Sequence, residues 1–446
     1  MKKILIANRG EIAVRIIRTA KELGIKTVAV HSTCDATSLH VRLADESVCI
    51  GGDQAKLSYL NMVAIMSACE LTGADAVHPG FGFLSERSEF AEIVAKCGLK
   101  FIGPSSESMR KLGAKVAARE LAGAAGVPML PGTGILPDLE AARAAAGKIG
   151  YPVLIKASNG GGGRGMRVVR AEQDLEQTFH SARSESQTAF ASPDVFIEKY
   201  VAKPRHIEIQ ILADSYGNVI HLGERECTLQ RRHQKIIEEA PSPVMTPALR
   251  AEMGESACNL ARIAKYEGLG TVEFLVDENL KFYFMEMNTR IQVEHPVTEE
   301  ITGLDLVREQ LLVASGERLR LRQEDVTFFG HAIECRVNAE DPTNFVPCPG
   351  LITTYIAPGG RRVRIDSAAY QGYKVPPFYD SMIAKLITWG DTREEASRTM
   401  RRALAEYVIE GIKTNIPLHM RILDSRTFAN FDFYTKWIEE ELLKKS

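Results

Sequence analysis

Short apolar runs alternate with amphipathic stretches over about the first hundred residues. An apolar run at residues 3–7 predicts a strand, and apolar side chains recur at helical spacing over residues 11–23. Strand-like runs return at residues 26–31, 74–78 and 99–103. Strands that alternate with helices in this way are typical of a doubly wound parallel sheet, so we predict an α/β domain at the N-terminus.

The pattern changes near residue 150, where hairpin signals replace the alternation of strands and helices. A predicted connection at residues 124–134 separates this section from a helical stretch at residues 105–125. A further section starts near residue 329 with a strand-like run at residues 331–338. Four more segments have helical spacing: residues 174–183, 247–266, 392–409 and 433–443.

Composition and charge narrow the class of protein. The 446 residues carry 55 Lys and Arg against 57 Asp and Glu, which argues against a protein that binds nucleic acid or membranes through bulk charge. No apolar run is long enough to predict a membrane span. The eight cysteines are scattered, and the start of the chain does not resemble a signal peptide. We therefore expect free thiols in a cytoplasmic, multidomain protein.

A glycine-rich loop, Gly160 to Gly163, lies between predicted strands at residues 152–156 and 166–170. Glycine allows backbone N–H groups to surround phosphate oxygens because no Cβ is in the way, and Lys156 would add a positive charge. The same pattern is typical of a flexible hairpin tip. The first predicted strand–helix turn, Asn8-Arg9-Gly10-Glu11, is not G-x-G-x-x-G, and the sequence has no Walker pattern. We therefore predict a mobile lid over phosphates rather than a dinucleotide fold or a P-loop.

Two carboxylates are predicted to face each other across a hairpin. Strand patterns at residues 271–276 and 281–287 flank a turn, and a two-residue turn at Asn279 and Leu280 would pair Glu273 with Glu286. At an effective dielectric of 20 and a separation of ~4 Å, two such charges repel by about 4 kcal/mol. A divalent cation such as Mg²⁺ or Mn²⁺ removes that cost.

Polar groups occupy every second position of the segment that follows: Glu286, Asn288, Arg290, Gln292 and Glu294. In an extended chain this period places all of them on one face. A solvated edge strand would alternate in the same way. Residues 282–285 are fully apolar, so the segment emerges from a core, and we interpret the polar face as a site.

A basic cluster lies at residues 225–235, where five potential cations fall within eleven residues. Residues 205–211 alternate polar side chains with Ile, which indicates a strand with one polar face. The cluster is compatible with a solvated surface loop. In a chain of balanced charge we interpret it as facing an anion such as phosphate or bicarbonate. Nucleic acid fits poorly because no aromatic residues interleave with the charges.

Five stretches, taken in order, resemble biotin carboxylase, a family of ATP-grasp ligases. They are IANRGEIA at 6–13, HPGFGFLSE at 78–86, the glycine loop, QRRHQK at 230–235 and EMNTRIQVEHP at 286–296. The resemblance covers essentially the whole chain, and one departure is Phe81, where the family more often has Tyr. It implies a multidomain α/β and α+β fold. The expected parts are a Rossmann-like N-terminal domain (1–112), an ATP-grasp domain (113–328) with a lid at about 130–203, and an α+β C-terminal domain (329–446).

The resemblance also implies a two-step reaction. ATP phosphorylates bicarbonate to carboxyphosphate, and the carboxyl group then passes to N1′ of biotin on a carrier protein. The implied cofactors are ATP and Mg²⁺ or Mn²⁺, with carrier-bound biotin as substrate. The implied partners are a biotin carboxyl carrier protein and carboxyltransferase subunits. The sequence ends at Ser446 without a biotin-attachment segment, so we expect these partners to be separate chains. Acetyl-CoA carboxylase is the favoured parent complex, and a split pyruvate carboxylase is the alternative.

The family's site residues carry over by motif match. The implied nucleotide contacts are Lys115, Lys156, Gly162, Gly163, Glu198, Lys199, Tyr200, Val201, His206, Gln230, His233, Glu273, Leu275 and Glu286. The implied metal ligands are Glu273, Glu286 and Asn288. Bicarbonate is expected to contact Lys235, Arg290, Gln292 and the Val293 backbone. Glu294 is implied as the general base, and Arg336 as the guanidinium that stabilises the biotin enolate.

The sequence is also compatible with two other functions. Another ATP-grasp ligase that activates a different carboxylate would share Glu273, Glu286 and the lid. An ATP-sensing module would bind nucleotide without turnover. The family is commonly dimeric, and Arg15, Arg18 and Glu22 lie on one predicted helical face that could serve the interface; Arg18 and Glu22 could equally form a surface ion pair.

Overall fold

A computed structural model describes residues 1–158 and 165–444 of the chain. Gly162 and Gly163, predicted to contact phosphates, lie outside the described residues. Along this described part, no helix is long and apolar enough to cross a membrane.

The N-terminal section is the predicted parallel sheet, with strands in the order β3-β2-β1-β4-β5 and every pair parallel. Helix α1 buries the apolar stripe of Ile12, Ile16 and Ile17 against it. The elements are β1 (Lys3–Ile6), α1 (Gly10–Glu22), β2 (Lys26–Ser32), α2 (Leu39–Leu43), β3 (Glu46–Gly51), α3 (Met62–Thr72), β4 (Ala76–His78), α4 (Ser88–Lys96) and β5 (Lys100–Phe101).

The helical stretch predicted over residues 105–125 is two helices, α5 (Ser106–Gly113) and α6 (Lys115–Ala124). Ala114 between them is extended, with ψ 115°. An extended residue ends the helical hydrogen-bond ladder, so Lys115 begins a new helix whose first turn borders the cavity described below.

A small lobe follows, built on a three-stranded antiparallel sheet in the order β7-β6-β8. Strands β6 and β7 form the hairpin predicted around the glycine-rich loop. The sheet packs against both helices of the lobe through Ala142, Val153, Phe179 and Ile197. The elements are α7 (Leu139–Ile149), β6 (Val153–Ala157), β7 (Met166–Val169), α8 (Leu175–Phe190) and β8 (Val195–Lys199).

One antiparallel sheet of eight strands runs from the central section into the C-terminal section, in the order β13-β12-β9-β10-β11-β14-β19-β17, where β17 is Val363–Ser367 and β19 is Met382–Gly390. The junction is the pairing of β11 with β14, which brings Glu238 opposite Glu334. The elements up to this junction are β9 (Arg205–Ala213), β10 (Val219–Arg231), β11 (Gln234–Ala240), α9 (Pro247–Ile263), β12 (Gly268–Val276), β13 (Phe282–Asn288), α10 (His295–Thr302), α11 (Leu306–Ala314) and β14 (His331–Asn338).

The C-terminal section differs from expectation at two helices. The helix predicted at 392–409 ends at Glu406, and Val408–Glu410 forms a strand because its β-branched residues pair with Thr354–Ile356. The helix predicted at 433–443 is only a π-helical turn, Ile438–Leu442. The elements are β15 (Gly350–Leu351), β16 (Thr354–Ile356), β17 (Val363–Ser367), β18 (Lys374–Val375), β19 (Met382–Gly390), α12 (Arg393–Glu406), β20 (Val408–Glu410), α13 (Ile416–Leu423) and α14 (Arg426–Ala429).

Candidate active site

A cavity of about 980 Å³ lies where the N-terminal sheet, the small lobe and the eight-stranded sheet meet. Every described residue that the sequence assigned to the site lines this cavity. They are Lys115, Lys156, Glu198, Lys199, Tyr200, Val201, His206, Gln230, His233, Lys235, Glu273, Leu275, Glu286, Asn288, Arg290, Gln292, Val293, Glu294 and Arg336.

The two carboxylates of the hairpin lie opposite each other, because Glu273 and Glu286 are register partners on β12 and β13. The turn prediction was wrong. The Asp277 N–H donates to the Lys281 carbonyl at 2.9 Å across a three-residue loop, and the Asp277 carboxylate accepts from the loop's backbone. A bulge at Met285 shifts the register back by one residue. The longer turn and the bulge cancel, so the predicted pair survives.

The segment after β13 is not the extended strand that was predicted, because β13 ends at Asn288. Its polar groups nevertheless converge. The Arg290 guanidinium donates to the Gln292 side-chain oxygen at 2.7 Å and to the Asn288 side-chain oxygen at 3.1 Å. The Asn288 amide in turn donates to Glu273 at 2.9 Å. Hydrogen bonds among the side chains hold the polar group together where the strand ladder stops.

Lys235 is at the centre of the buried charges. Its ammonium donates to Glu208 at 2.5 Å, to Glu273 at 2.9 Å and to Glu294 at 2.6 Å. Burial disfavours the charged form, but the three carboxylates outweigh it and raise the pKa of Lys235 well above its ordinary value. All three carboxylates lie within hydrogen-bond distance of the same cation, Lys235.

Glu294 is held between two cations. Besides Lys235, Arg336 donates to it at 2.9 Å and to Glu238 at 2.6 Å. Burial is the largest effect on Glu294 and opposes ionisation, yet Lys235, Arg336 and Arg225 together hold its pKa well below the ordinary value. Glu294 is therefore ionised at neutral pH, as a base must be.

Glu286 differs from the other carboxylates of the site. It accepts no hydrogen bond from any residue in 1–158 or 165–444. Burial first, and then the neighbouring Glu273, raise its pKa, and Lys115 only partly opposes this. An anionic hard oxygen without a close partner, opposite a second carboxylate, is a donor set that suits Mg²⁺ or Mn²⁺. Glu273 and Glu286, with the Asn288 side chain, fit such an ion.

The other end of the cavity suits a nucleotide. Glu198 forms ion pairs with Lys156 and Arg119, while the Lys199 ammonium donates to the Gly150 carbonyl at 2.9 Å. A planar base fits between the apolar side chains that line this end. They are Leu130, Leu154, Met166, Val168, Phe196, Leu275 and Met285.

Two histidines and a glutamine lie between the two ends. His206 lies 3.0 Å from Glu273 through one ring nitrogen and 2.7 Å from the Gln230 amide through the other. Its neighbour His233 is at the tip of the β10–β11 hairpin, where burial lowers its pKa. Both rings border the cavity, and both nitrogens of the His206 ring already face protein partners.

Comparison with known proteins decides the family. Residues 1–109 match the biotin carboxylase N-terminal domain, residues 114–322 the ATP-binding domain of the carbamoyl-phosphate synthase L chain, and residues 334–440 the biotin carboxylase C-terminal domain. Biotin carboxylase 1 of Bacillus subtilis is 56% identical, over 98% of both chains. The chain belongs to the biotin carboxylase family. Its fold is the family's three-domain architecture of mixed α/β content.

Two further members of this family are informative. A pyruvate carboxylase subunit from Methanothermobacter thermautotrophicus is 54% identical, over 98% of this chain and 89% of the relative. The biotin carboxylase domain dimer of Hydrogenobacter thermophilus 2-oxoglutarate carboxylase superposes with a TM-score of 0.94 at 49% identity, covering 99% of this chain and 98% of that one. That structure holds MgADP, ADP and bicarbonate.

The basic cluster at residues 225–235 is not a surface loop. It spans β10, a turn at Arg232 and His233, and β11. Arg225 is completely buried and donates to the Glu208 carboxylate at 2.5 Å, so it is not placed to bind phosphate or bicarbonate. Arg15, considered for a dimer face, instead pairs with Glu299 and Asp305 of the same chain.

Sequence reasoning missed several groups that organise this biotin carboxylase site. Glu208 contacts both Lys235 and Arg225, and Glu238 contacts Arg336. Glu208 belongs to the alternating segment at residues 205–211, so its place on the polar face was available as a signal. Glu238 follows two isoleucines in a strand that is buried on both faces, and no local pattern marked it.

Proposed function

We propose that this chain catalyses the ATP-dependent carboxylation of biotin by bicarbonate, with the biotin attached to a carrier protein. One observation carries the proposal: the Glu294 carboxylate is fixed between Lys235 and Arg336 in the same cavity as the Glu273–Glu286 pair. An ATP-sensing module has no use for an ionised base between two cations. A ligase for another carboxylate would use the metal pair and the lid without Lys235, Arg336 and Glu294 together.

The nucleotide end binds ATP and places its γ-phosphate beside the metal pair. We propose that Lys115 and Lys156 contact phosphates, that residues 198–201 and Leu275 border the adenine, and that His206, Gln230 and His233 contact the ribose side. A bound Mg²⁺ or Mn²⁺, held by Glu273, Glu286 and Asn288, would neutralise charge on the phosphates during transfer. We further propose that Gly162 and Gly163 close over the phosphates, as their sequence context predicts.

Bicarbonate binds next to Glu294, among Lys235, Arg290, Gln292 and the Val293 N–H. Glu294 removes the proton of bicarbonate, the freed oxygen attacks the γ-phosphorus, and ADP leaves. Ion pairing makes Glu294 a weak base in the free protein. A bicarbonate anion bound beside it competes for Lys235 and adds negative charge, and both effects raise the pKa of Glu294. The base is therefore strengthened when its substrate is present.

Arg336 serves the second step. When biotin N1′ takes the carboxyl group from carboxyphosphate, phosphate leaves and accepts the N1′ proton, and negative charge develops on the ureido oxygen during the transfer. A guanidinium fixed by Glu238 and Glu294 meets that charge without having to reorganise. Arg336 is on β14, beyond the junction with β11, so the C-terminal section supplies this group.

We propose the domain organisation 1–112, 113–328 with a lid at about 130–203, and 329–446, a cytoplasmic homodimer, and a separate carrier protein with carboxyltransferase subunits. Acetyl-CoA carboxylase, which supplies malonyl-CoA for fatty acid synthesis, is the parent complex that we favour. Relatives named for pyruvate and 2-oxoglutarate carboxylases make those the alternatives. Co-purification from the source cells identifies the carrier and transferase chains and decides between them.

The proposed activity is tested by ADP release with bicarbonate and free biotin omitted in turn. We expect full rate only with both substrates present, and little ADP without bicarbonate. ADP release that needs neither substrate would indicate ATP hydrolysis without carboxylation, and ADP release that starts only when another carboxylate is added would indicate a different carboxylate substrate. An absence of turnover with tight ATP binding would indicate a sensing module.

A further inference from the structure

The turn that joins β13 to α10 carries the groups proposed to meet bicarbonate. No strand ladder orients it, because β13 ends at Asn288 and α10 begins at His295. Backbone support is weak: the Gln292 carbonyl accepts a long hydrogen bond of 3.4 Å from the His295 N–H, so these peptide groups depend mainly on side chains. Two of these side chains, His295 and Lys385, are completely buried.

His295 holds the carbonyl of Gln292. The ring Nδ1 lies 2.8 Å from that oxygen, and because a carbonyl oxygen only accepts, Nδ1 is the donor. Burial is the largest effect on the ring, and the positive charges of Lys385 and Arg15 add to it, so the pKa of His295 lies well below its ordinary value. The imidazole is therefore neutral at pH 7, with its proton on Nδ1.

The same peptide group contains the N–H of Val293. A peptide is planar, and this one is trans, so its N–H points away from its carbonyl. Pulling the Gln292 carbonyl toward His295 aims the Val293 N–H the opposite way, and Val293 lines the cavity. Within residues 1–158 and 165–444, no acceptor takes up this N–H. It is available to an anion.

Lys385 holds the next peptide. Its ammonium donates to the Val293 carbonyl at 2.8 Å and lies 3.3 Å from the Glu11 carboxylate. Lys385 is on β19, directly across from Arg336 on β14. The peptide that it fixes leads into Glu294, so one buried cation of the C-terminal section sets the backbone from which the base projects.

We propose that His295 and Lys385 are positioning residues for bicarbonate: they fix the two consecutive peptide groups on either side of Val293, which aims the Val293 N–H and the Glu294 carboxylate at the anion. Neither side chain touches the substrate. The inference rests on the proposed function, because it assigns a role to the bicarbonate subsite of that reaction.

The first test compares His295→Leu with His295→Asn. The two side chains have nearly the same shape, but only Asn offers an N–H close to the place of Nδ1. Loss of an aimed donor to an anion raises the KM for bicarbonate by about tenfold or more. We expect this rise for His295→Leu, an unchanged KM for ATP, and recovery in His295→Asn. A merely structural role would lower kcat through the folded fraction in both variants and leave the KM for bicarbonate unmoved, which would overturn the proposal.

A second test keeps the proposal falsifiable if His295→Leu does not fold. The double variant Lys385→Met, Glu11→Gln removes the buried cation together with the nearer of its two carboxylate neighbours, while the other, Asp366, keeps Arg364 as a partner. Glu11→Gln alone is the matched control. We expect a raised KM for bicarbonate in the double variant only. Equal KM values in both variants would refute the positioning role.

The wild-type protein separates failure of the function from failure of the positioning role. If its ADP release does not depend on bicarbonate, the proposed function fails. If that dependence is present and the variants keep the wild-type KM for bicarbonate, only the positioning role fails.

Discussion

Replacing Glu294 by Gln removes the proposed base while keeping its shape and polarity. The substitution leaves no buried cation without a partner, because Lys235 retains Glu208 and Glu273, and Arg336 retains Glu238. We therefore expect the variant to fold and to bind ATP normally. Bicarbonate-dependent ADP release should fall by roughly 10²–10⁴-fold, the usual contribution of a general base. At 1.36 kcal/mol per decade, this is about 2.7–5.4 kcal/mol of activation free energy.

The assay compares two partial reactions of the same variant. ATP formation from ADP and carbamoyl phosphate requires no deprotonation of bicarbonate, so it should lose far less than ADP release. The control is Glu334→Gln, the same chemical change at a buried carboxyl in the same sheet. Burial raises the pKa of Glu334 well above its ordinary value, the opposite of the shift at Glu294, and its replacement should change neither rate. Equal losses of both reactions in Glu294→Gln would show that Glu294 positions groups and is not the base.

Three further predictions follow from the charges. Glu286→Gln should lower ATP turnover by more than tenfold with little change in nucleotide affinity, because the metal clamp acts mainly in the transition state; normal turnover at saturating Mg²⁺ would refute the metal assignment. Arg336→Met should abolish biotin carboxylation yet retain part of the bicarbonate-dependent ADP release, and parallel losses of both would contradict its role in the second step. His419 is buried with its pKa lowered to about 4, so below about pH 6.5 the unfolded chain takes up the proton first. The contribution of neutral His419 to the free energy of unfolding is fully present above that pH. Roughly 3 kcal/mol of it is lost as the pH falls to 4. His419→Gln should therefore show a shallower acid decline of Tm than the wild type, whereas identical slopes would contradict the assignment.

The sequence predicts the parts of this site that depend on residues close together in the chain better than the parts that depend on distant segments. The facing of Glu273 and Glu286 follows from strand period and hairpin pairing, which are local. The turn prediction failed because the Asp277 carboxylate stabilises a longer loop, and side-chain hydrogen bonds of this kind are not visible in a hydrophobic pattern. The pair was still correct because a bulge compensated.

The buried charges were harder to predict. Five cations within eleven residues indicated an exposed or anion-binding loop, yet Arg225 lies in the core with Glu208. A fully buried arginine requires a carboxylate partner, and here that partner comes from a neighbouring strand 17 residues earlier. The continuous sheet that joins β11 to β14 was not predicted for the same reason, since pairing between distant segments leaves no trace in local periodicity. The role of Arg336 was predicted from the family resemblance, and the pattern of polar and apolar residues alone did not indicate it.

The central claim is that this cavity couples ATP cleavage to carboxyl transfer from bicarbonate to biotin. The most direct measurement is the incorporation of label from [¹⁴C]bicarbonate into biotin, followed as acid-labile carboxybiotin. We predict labelled biotin only when ATP and Mg²⁺ are both present, in proportion to the ADP released, and none with the Glu294→Gln variant. ADP released with bicarbonate present but without any label in biotin would contradict the account.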